Sequence, residues 1–587
     1  MTKKDILYLL SSLPQGGITT KRIKNPNGKT YEYYFLQWTE NGKQKSRSLK
    51  KEEIEIIQKQ LDERKKLENL LSTGNYSTDD QNPDFNTQVT VGSNLVSLVE
   101  QVKAYRKRDG YKLLEDYVYG TYRGKVFIMY GLRRTGKTTL MEQIIADMNS
   151  EDILQTAFIQ VTRDDTFAKL NKDLKLLQSN GYKYIFIDEV TLMSDFIEGA
   201  ALLSDIYASS GMKIVLSGTD SLGFWITKSN ELYDRCILLH TTFIPYHEFA
   251  EVLGIKGIDT YIRCGGTMCE SGRRYNVFEN KKSTDEYIDS AIANNIQHSL
   301  KYYQYEGHFR HLYDLYEKGE LTSAINRVVE DINHRFTIEV LERKFKSNDL
   351  ELSANNLRKD RFAPTTILDD IDIESFTARL KESLEIKNKE EQSVELDEIH
   401  VHQIEEYLTA LDLINTIDLV DIDVYRQDRT RIVFTQPGLR YSQAESLVSS
   451  LSDDPLFKAL PSLEQKRVIE RILSEISGRM EEDIILLETK LANPDKKVFK
   501  LQFADGEFDM VISDPDTLQT QVFEIKYSKE MLKEQSRHLR NEQKCTDASR
   551  RFGDIVKKTV LYRGPNTELD GICYQNIEDY LLSLKKN

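Results

Sequence analysis

The chain has 587 residues, of which 39% are hydrophobic and 30% charged, and its formal net charge is −14. The length predicts roughly three to five domains, and the composition excludes fibrous and disordered proteins. The acidic total argues against a protein that covers nucleic acid with its whole surface. No apolar run approaches the ~20 residues of a membrane-spanning helix, the first residues lack the features of a secretory signal, and five scattered cysteines form no disulfide or zinc framework. We therefore expect a cytoplasmic protein with no membrane partner.

The first 75 residues differ from the rest in charge, because they carry 15 basic and 9 acidic side chains. Alternation from Ile18 to Ile23, from Tyr31 to Trp38 and in KQKSRSL predicts three strands, and the charged segment that follows predicts a surface helix. A basic three-stranded sheet with a helix resembles the small arm domains that some integrases use on DNA. An oligomerisation or packing module fits the pattern equally well. Residues 72–92 have no periodicity and predict a linker.

From residue 93 to residue 255, short apolar strands alternate with helical patterns, which is typical of a parallel α/β sheet. The segment VFIMYGLRRTGKTTL places GxxxxGK[ST] between a buried strand and a helix, the context that a phosphate-binding loop needs. Lys137 would neutralise the β- and γ-phosphates, and Thr138 would ligate Mg²⁺. The predicted ATP-binding residues are Gly131, Leu132, Arg133, Arg134, Thr135, Gly136, Lys137, Thr138 and Thr139.

Later strands of the same region add polar residues at their ends. KYIFIDEV ends in Asp188, a predicted ligand of Mg²⁺, and Glu189, which would orient or deprotonate the attacking water. MKIVLSGTDS supplies Thr219, our first candidate for sensing the γ-phosphate as AAA-type ATPases do, and Ser217, the second. Arg235, just before CILLH, is a candidate finger acting in cis or in trans, although an arginine beside a strand is common.

The middle of the chain is predicted to be mostly helical from 256 to 385. A winged-helix-like domain is then predicted from 386 to 454. There, IHVHQIEEYLTALDLI places Ile404, Tyr407, Leu408 and Leu411 on one helical face, and two strand candidates follow. A packing adaptor between domains is favoured over a DNA-reading module.

The last segment, 455–587, carries a second set of polar residues. Glu481 or Glu482 lies in a long amphipathic helix, Asp509 interrupts the apolar strand FDMVI, and Glu524 and Lys526 interrupt QVFEIKYS. A helix glutamate followed by D…ExK across a hairpin resembles the PD-(D/E)xK nuclease fold. Asp509 and Glu524 would share one or two Mg²⁺ or Mn²⁺ ions, and Glu481 would complete the metal shell. Lys526 would position the water or stabilise developing charge.

Together, GLRRTGKTTL, FIDEV, SGTDS and LYDRCILLHTTFIPYHEFAEVLG resemble the archaeal-type AAA ATPases, a prokaryotic family close to the STAND signalling ATPases. The arginine pair Arg133–Arg134, the turn at 245–249 and the pair Gly265–Gly266 match the family, whereas the proline that usually follows those glycines is absent. The resemblance runs from about residue 100 to the end and leaves the arm outside. It implies a P-loop domain, a helical and winged-helix region, and a C-terminal restriction-endonuclease-like domain.

These predictions describe an α/β multidomain chain divided into an arm (1–71), a linker (72–92), a P-loop ATPase core (93–255), a helical domain (256–385), a winged-helix-like domain (386–454) and a nuclease-like domain (455–587). The favoured hypothesis is a Mg²⁺-dependent ATPase coupled to a DNA-directed nuclease in defence or mobile-element control. We expect ATP, DNA and further copies of the chain as partners. The alternative is a nucleotide-dependent switch or assembly protein whose C-terminal domain binds a partner or DNA without cleaving.

Overall fold

The structure is a computed structural model. It describes residues 6–7, 10, 13–24, 30–40, 42–73, 84–219, 232, 234–241, 243–268, 278, 280–302, 309–346, 396–423, 425, 427–453, 458 and 461–584. The chain divides into two compact units. The first contains residues 1–129, 137–218 and 226–239, and the second contains residues 130–136, 219–225 and 240–587.

The first unit begins with a three-stranded antiparallel sheet, close to the predicted bounds. Its strands are β1 (Gly17–Lys24), β2 (Thr30–Glu40) and β3 (Lys43–Leu49), with β2 in the centre. Helix α1 (Lys51–Thr73) follows, and its Leu61 packs with Leu36 and Leu49 of the sheet. Alternation puts every second side chain on the same face, so one face of the sheet packs against the helix.

A six-stranded sheet in the order β4-β6-β7-β8-β5-β9 forms the centre of the α/β core. β6 pairs in parallel with β7 and β7 with β8, whereas the edge strand β4 is antiparallel to β6. The sheet is therefore largely parallel, as predicted. Its strands are β4 (Gln88–Val91), β5 (Val126–Tyr130), β6 (Thr156–Gln160), β7 (Tyr184–Asp188), β8 (Lys213–Gly218) and β9 (Cys236–His240).

Helices surround this sheet because its central strands are apolar on both faces, as in Val126–Met129 and Ile185–Ile187, which are all fully buried. The helices are α2 (Gly92–Val99), α3 (Gly110–Tyr119), α4 (Lys137–Ala146), α5 (Ser150–Leu154), α6 (Phe167–Ser179) and α7 (Phe196–Leu202), which continues into a π-helical stretch at Leu203–Ala208.

The second unit starts with a mostly helical part. Two hydrophobic clusters hold it together, one centred on residues such as Ile292, Ile325 and Tyr407, the other on Tyr261, Phe249 and Ile485. Its helices are α8 (Tyr246–Glu251), α9 (Ile258–Cys264), α10 (Lys281–Tyr287), α11 (Asn294–Tyr302), α12 (Arg310–Glu317), α13 (Leu321–Lys346), α14 (Glu398–Ala410), α15 (Pro437–Ser449) and α16 (Ser462–Ala492).

The four apolar residues predicted on one face of α14 are all fully buried, which confirms that pattern: Ile404, Tyr407, Leu408 and Leu411. Residues 347–395, which complete the predicted helical domain and begin the winged-helix-like one, lie outside the described residues.

An eight-stranded mixed sheet completes the second unit, in the order β11-β10-β12-β13-β14-β15-β17-β16. The hairpin of β10 and β11 is its edge, because β10 also pairs in parallel with β12. The sheet thus contains strands from both sides of the predicted boundary at 454, and that boundary stays a prediction. The strands are β10 (Ile414–Asp421), β11 (Arg429–Phe434), β12 (Lys497–Phe503), β13 (Gly506–Asp514), β14 (Gln519–Lys526), β15 (Asp554–Tyr562), β16 (Thr567–Leu569) and β17 (Ile572–Asn576).

Two further helices, α17 (Glu542–Phe552) and α18 (Ile577–Ser583), pack against this sheet. Within the part of the chain that the structure describes, no helix has the length and apolar character needed to cross a bilayer.

Candidate functional site

The first candidate site lies where parallel strands of the six-stranded sheet end. Asp188 is the last residue of β7 and is 2% exposed. The hydroxyl of Thr138, on α4, donates to Oδ2 of Asp188 at 2.8 Å, and the hydroxyl of Ser217, on β8, donates to Oδ1. P-loop proteins hold Mg²⁺ with a hydroxyl and a carboxylate in these positions. The structure therefore brings together the two predicted ligands, Thr138 and Asp188.

Glu189 follows Asp188 in a left-handed backbone conformation, with φ of 55°. Such a conformation is unfavourable for residues other than glycine, and residues held in it are concentrated at active sites. The half-buried Glu189 thus begins a sharp turn beside the predicted metal ligands. Its role on the attacking water stays a prediction.

Residues 131–136 of the phosphate loop belong to the second unit, and the chain enters the first unit at Lys137. Lys137 is 5% exposed. Gly131 has φ of 140°, and a Cβ atom there would lie 2.1 Å from the carbonyl oxygen of Thr241. Arg134 and Gly136 also have positive φ, at 62° and 81°. Alternation of ordinary and left-handed backbone turns successive N–H groups toward one concavity, which is the property that binds phosphate. The loop therefore fits a nucleotide.

Glu142 is a member of this site that sequence analysis missed. It lies one turn after Thr138 on α4, and burial together with the negative charge of Asp188 raises its pKa to about 7. The spacing of four residues could have revealed it, since residues i and i+4 share a helix face.

The two remaining predicted ATPase residues have different surroundings. Thr219 is buried, and its carbonyl oxygen accepts a hydrogen bond from Asn295 at 3.0 Å; the neighbouring Asp220 and Ser221 lie outside the described residues. Arg235 pairs with Asp205 at 2.7 Å.

Arg235 is not brought to the phosphate loop of its own chain. Its carbonyl oxygen accepts from the N–H of Val126, the first residue of β5, whereas the loop follows the last residue of that strand. Arg235 therefore lies beside the opposite end of β5 from the phosphate loop, and its role as a finger toward a second copy stays a prediction.

The second candidate site lies on adjacent strands of the eight-stranded sheet. Asp509 on β13 and Glu524 on β14 are 5% and 1% exposed. Both approach Nζ of Lys526, at 2.9 Å for Asp509 and 2.5 Å for Glu524. Oδ2 of Asp509 also accepts from the N–H of Ile525 at 2.8 Å. Three residues predicted from the D…ExK pattern are thus in mutual contact.

The surroundings shift the pKa values of the two carboxyl groups in opposite directions. Burial and the negative charge of Asp509 raise the pKa of Glu524 to about 8. Burial also acts to raise the pKa of Asp509, but the charges of Lys526 and Lys500 outweigh it and hold this pKa well below its usual range. Two acids in one buried site do not both ionise easily, which is why the negative charge of Asp509 adds to the effect of burial on the pKa of Glu524.

Lys500 is a buried member of this site that sequence analysis missed. It stands on β12 where the pairing with β13 is irregular, opposite Asp509. Its Nζ lies 3.4 Å from Asp509, 2.7 Å from Glu507 and 3.2 Å from Glu482 of α16. Irregular pairing often redirects a side chain beside an active site. In the sequence, Lys500 could not be distinguished from a lysine on the exposed side of a strand.

The helix glutamates separate into two environments. Glu482 faces Lys500, whereas Glu481 accepts from Arg563 at 2.6 Å through Oε2. Arg563 also pairs with Asp259 of α9 at 2.8 Å. Burial raises the pKa of Glu481 to about 7 although Arg563 opposes the shift. The predicted role of Glu481 as a metal ligand stays a prediction, and Glu482 is the nearer neighbour of the group around Asp509.

Asp509 and Glu524 offer a divalent cation two acids, but the described acids around them do not form a group of three ligand atoms within 4.8 Å of one another. Oε1 of Glu524 is buried and has no hydrogen-bond partner, although the other oxygen of the same carboxylate meets Lys526. An unpartnered buried carboxylate oxygen is costly, and a metal ion is one of the usual partners of such an atom. The roles of Asp509, Glu524 and Glu481 as metal ligands therefore stay predictions.

Two family models match separate parts of the chain. A model described as an AAA domain, AAA_14, matches residues 123–250, and a domain of unknown function, DUF6788, matches residues 3–59. The first match contains the phosphate loop together with Asp188 and Glu189. Residues 123–250 are accordingly an AAA-type P-loop ATPase domain.

No curated protein matches the chain. Among solved structures, the Orc1 protein of Aeropyrum pernix in complex with DNA is 12% identical, with 62% of this chain and 97% of that chain covered and a TM-score of 0.23. A katanin structure concerned with self-assembly is 15% identical, with 36% and 67% covered and a TM-score of 0.17. Both TM-scores are too low to establish a shared overall fold.

Proposed function

We propose that this chain is a Mg²⁺-dependent ATPase of the archaeal-type AAA, STAND-related group, and that its AAA-type domain controls a metal-dependent, DNA-directed nuclease site in the C-terminal sheet. The observation that carries the proposal is the convergence of Asp509 and Glu524 on Nζ of Lys526 within 2.9 Å, in a buried site that also contains an unpartnered carboxylate oxygen.

In the ATPase half, each residue has a defined task. Lys137 binds the phosphate charge, Thr138 and Asp188 would hold Mg²⁺, and Glu189 orients the attacking water and accepts its proton. Bound Mg²⁺ would neutralise charge on the transferred phosphoryl group. Glu142, whose pKa is raised to about 7, adds a carboxyl group that exchanges a proton near neutral pH beside Asp188.

In the nuclease half, Asp509 and Glu524 would hold Mg²⁺ or Mn²⁺, which supplies a polarised phosphodiester and an activated water. Lys526 then supplies positive charge close to the phosphate. Lys500 offsets the charge of Asp509 and Glu482 from the buried side of the sheet, so the acids remain close together before a cation binds.

Coupling between the two halves is supported by a series of polar contacts within the second unit. In the phosphate loop, the carbonyl oxygen of Arg134 accepts from the N–H of Met268 at 2.8 Å. The carbonyl oxygen of Arg133 accepts from the hydroxyl of Tyr287 at 3.5 Å. The same Tyr287 hydroxyl accepts from Gln436 at 2.9 Å. Gln436 directly precedes α15, so this helix is tied to the loop that binds phosphate.

Helix α15 continues the series to the nuclease-like site. Its Arg440, 2% exposed, donates to Asp483 of α16 at 3.0 Å, and Arg431 of β11 pairs with the same carboxylate at 2.6 Å. Burial lowers the pKa of Arg440 to about 10, which leaves it charged at neutral pH. Asp483 is adjacent in sequence to Glu482. A movement of the phosphate loop would therefore be transmitted through α15 to the acids around Lys500.

The test is cleavage of plasmid and linear DNA by the full chain with Mg²⁺ or Mn²⁺, with and without ATP. Glu524→Ala should abolish cleavage while ATP hydrolysis persists. Glu568→Gln, which changes an exposed acid at the far edge of the same sheet, is the matched control and should behave as the wild type. Equal cleavage by Glu524→Ala and the wild type would overturn the assignment of the site.

A second candidate function is a nucleotide-dependent switch whose C-terminal domain binds a partner or DNA without cleaving. The observation that favours it is that Lys526 already pairs with both acids, as a structural ion pair would. Under this alternative the wild type shows neither cleavage nor Mn²⁺ binding in any nucleotide state, whereas ATP hydrolysis remains.

A further inference from the structure

Arg563 directly follows β15 in the sheet that carries the nuclease-like site. β14 and β15 pair in parallel, with Lys526 opposite Tyr562. This pairing continues beyond both strands, because the N–H of Arg563 donates to the carbonyl oxygen of Ser528 at 2.8 Å. The backbone of Arg563 is therefore fixed beside the segment that leaves Lys526.

The guanidinium group of Arg563 has one buried and one exposed acidic partner. Two of its nitrogens donate to Oε2 of Glu481, at 2.8 Å and 2.6 Å. The group also donates to both carboxylate oxygens of Asp259, on α9, at 3.0 Å and 2.8 Å. The side chain of Glu481 is fully buried, whereas that of Asp259 is 61% exposed. Asp259 therefore covers the guanidinium group from the solvent side.

Tyr527, which directly follows Lys526, holds the guanidinium group in one orientation. Its ring centroid lies 3.7 Å from Cζ of Arg563, and its hydroxyl donates to Asp259 at 3.3 Å. An arginine that is stacked on an aromatic ring presents its N–H groups in a fixed plane. Without Asp259, this face of the guanidinium group would be open to solvent and already oriented for another anion.

The contact between Arg563 and Asp259 has the geometry with which arginine binds phosphate. Two N–H donors meet two oxygens of one anion, and this fork fits phosphate as well as carboxylate. An ion pair with an exposed partner contributes little to stability, so a second anion can replace Asp259 at small cost. The buried Glu481 would keep its own contacts with Arg563 during that exchange.

Two neighbours of Arg563 also adjoin the nuclease-like site. Tyr527 follows Lys526, whose Nζ approaches both acids of that site. Glu481 precedes Glu482, the helix glutamate that belongs to the same buried group of charges. An anion bound to Arg563 would therefore lie on the same side of the sheet end as the proposed site of cleavage.

We propose that Arg563 binds a backbone phosphate of the DNA substrate beside the nuclease-like site, and that Asp259 occupies this phosphate position until DNA replaces it. The proposal rests on the proposed function, which assigns DNA as the substrate. Asp259 acts as an internal competitor, since its carboxylate uses the same N–H donors as the phosphate. It therefore lowers the affinity of the chain for DNA.

The test measures binding of the full chain to a fluorescent DNA duplex by anisotropy, with EDTA present to prevent cleavage. Asp259→Ala uncovers the guanidinium group. Asp314→Ala is the matched control, because it removes an exposed aspartate of α12 in the same unit and changes the net charge equally. We expect a gain in affinity of at least about fivefold for Asp259→Ala and less than about twofold for Asp314→Ala. The slope of log affinity against log salt should steepen by about 1 only in Asp259→Ala, since one more phosphate is neutralised.

A double variant tests whether the gain depends on Arg563. Asp259→Ala combined with Arg563→Gln should bind DNA no more tightly than the wild type does. Because Arg563→Gln removes the partner of the buried Glu481, thermal unfolding of the double variant is measured first. If the double variant does not fold, the comparison of Asp259→Ala with Asp314→Ala decides the question.

Equal DNA affinity in Asp259→Ala and the wild type, or a gain that persists without Arg563, would overturn the proposal. Inorganic phosphate distinguishes a free anion from DNA as the ligand. If Asp259→Ala is stabilised by phosphate at constant ionic strength but gains no affinity for DNA, the proposal also fails.

Failure of this proposal and failure of the proposed function give different results. If the wild type cleaves DNA, Glu524→Ala does not, and Asp259→Ala binds DNA as the wild type does, the nuclease stands and the phosphate position at Arg563 is refuted. If Asp259→Ala binds DNA more tightly through Arg563 but no protein cleaves it, the phosphate position stands and the nuclease is refuted.

Discussion

The Thr138 hydroxyl donates to the Asp188 carboxylate at 2.8 Å, although the two residues are 50 positions apart in the sequence. This bond joins the beginning of α4 to the end of β7, so it fixes the phosphate-binding helix against the strand that carries the acidic residues. Because this bond holds Thr138 and Asp188 together, substitutions of the residues around them should have separable effects on nucleotide binding and hydrolysis.

Glu189→Gln should bind ATP normally and hydrolyse it about 10²-fold or more slowly. The amide preserves the shape of the side chain, but it cannot accept the proton of the attacking water. Nucleotide affinity and single-turnover hydrolysis measure the two effects separately. Turnover at the wild-type rate would remove Glu189 from the catalytic group and leave Glu142 as the next candidate.

Lys137→Ala should instead weaken nucleotide binding, by at least tenfold. The loop would lose the ammonium group that balances phosphate charge, while its backbone N–H groups remain. Titration with a fluorescent ATP analogue gives the affinity. Lys175→Ala, on α6 of the same unit and remote in sequence from the loop, serves as the control and should bind as the wild type does. Unchanged affinity in Lys137→Ala would contradict the loop assignment.

Tyr287→Phe should remove the effect of ATP on the C-terminal site. It removes the hydroxyl that contacts both Arg133 and Gln436, while the ring and its packing remain. We expect ATP hydrolysis within about twofold of the wild type and a loss of the ATP dependence of cleavage or Mn²⁺ affinity, because the hydroxyl joins the phosphate loop to the residue that precedes α15. The control is Tyr207→Phe, a buried tyrosine of the first unit whose hydroxyl contacts Asn171. Full ATP dependence in Tyr287→Phe would show that the coupling takes another route.

Sequence patterns predicted the features that depend only on residues close together in the sequence. The strand alternation of the arm, the glycines of the phosphate loop and the acids at 188 and 189 depend on neighbours in sequence, and the structure places all of them close to the expected bounds. The contact of Asp509 with Lys526 was also predictable, because a hairpin brings its two strands together.

Features that depend on long-range pairing were not predictable. The β10–β11 hairpin looks like a wing in the sequence, yet it joins the C-terminal sheet because β10 pairs with β12, which begins more than 70 residues after β10 ends. Lys500 acquires its role only because β12 pairs with β13, and Glu481 differs from Glu482 because Arg563 approaches one of them. Adjacent residues of a helix give no signal for that choice.

Glu488→Gln should stabilise the second unit at high pH. Glu488 is 4% exposed, accepts from the N–H of Tyr246 and the hydroxyl of Tyr261 at 2.9 Å each, and has its other oxygen buried without a hydrogen-bond partner. Burial raises its pKa to about 7, from a model-peptide value near 4.5. Glutamine preserves the accepting oxygen without requiring a buried charge.

The direction in which pH changes the free energy of unfolding follows from proton binding by Glu488. Between pH ~4.5 and ~7 the folded protein holds the Glu488 proton more tightly than the unfolded chain, so its stabilising contribution is complete below pH ~4.5 and lost as pH rises through ~7. Relative to the wild type, Glu488→Gln should gain up to about 3 kcal/mol by pH 8.5 and little at pH 4.5. Urea unfolding at the two pH values measures this, with Glu568→Gln as the control. An equal difference at both pH values would mean that the pKa of Glu488 is the same in the folded and the unfolded protein.

Asp509→Asn separates a metal site from a structural ion pair. If Asp509 holds a divalent cation, the amide should abolish Mg²⁺-dependent cleavage and reduce Mn²⁺ affinity at least tenfold, with ATP hydrolysis unchanged. The loss of a negative charge would leave Lys526 and Lys500 with fewer partners, so some loss of thermal stability accompanies either case. Metal dependence is the decisive measurement. Mn²⁺ should raise the unfolding temperature of the wild type and not that of Asp509→Asn, because only a protein that binds the ion in its folded state is stabilised by it. If Mn²⁺ shifts neither protein and the wild type does not cleave, the acids and lysines form a structural network, and the C-terminal sheet serves the nucleotide-dependent switch.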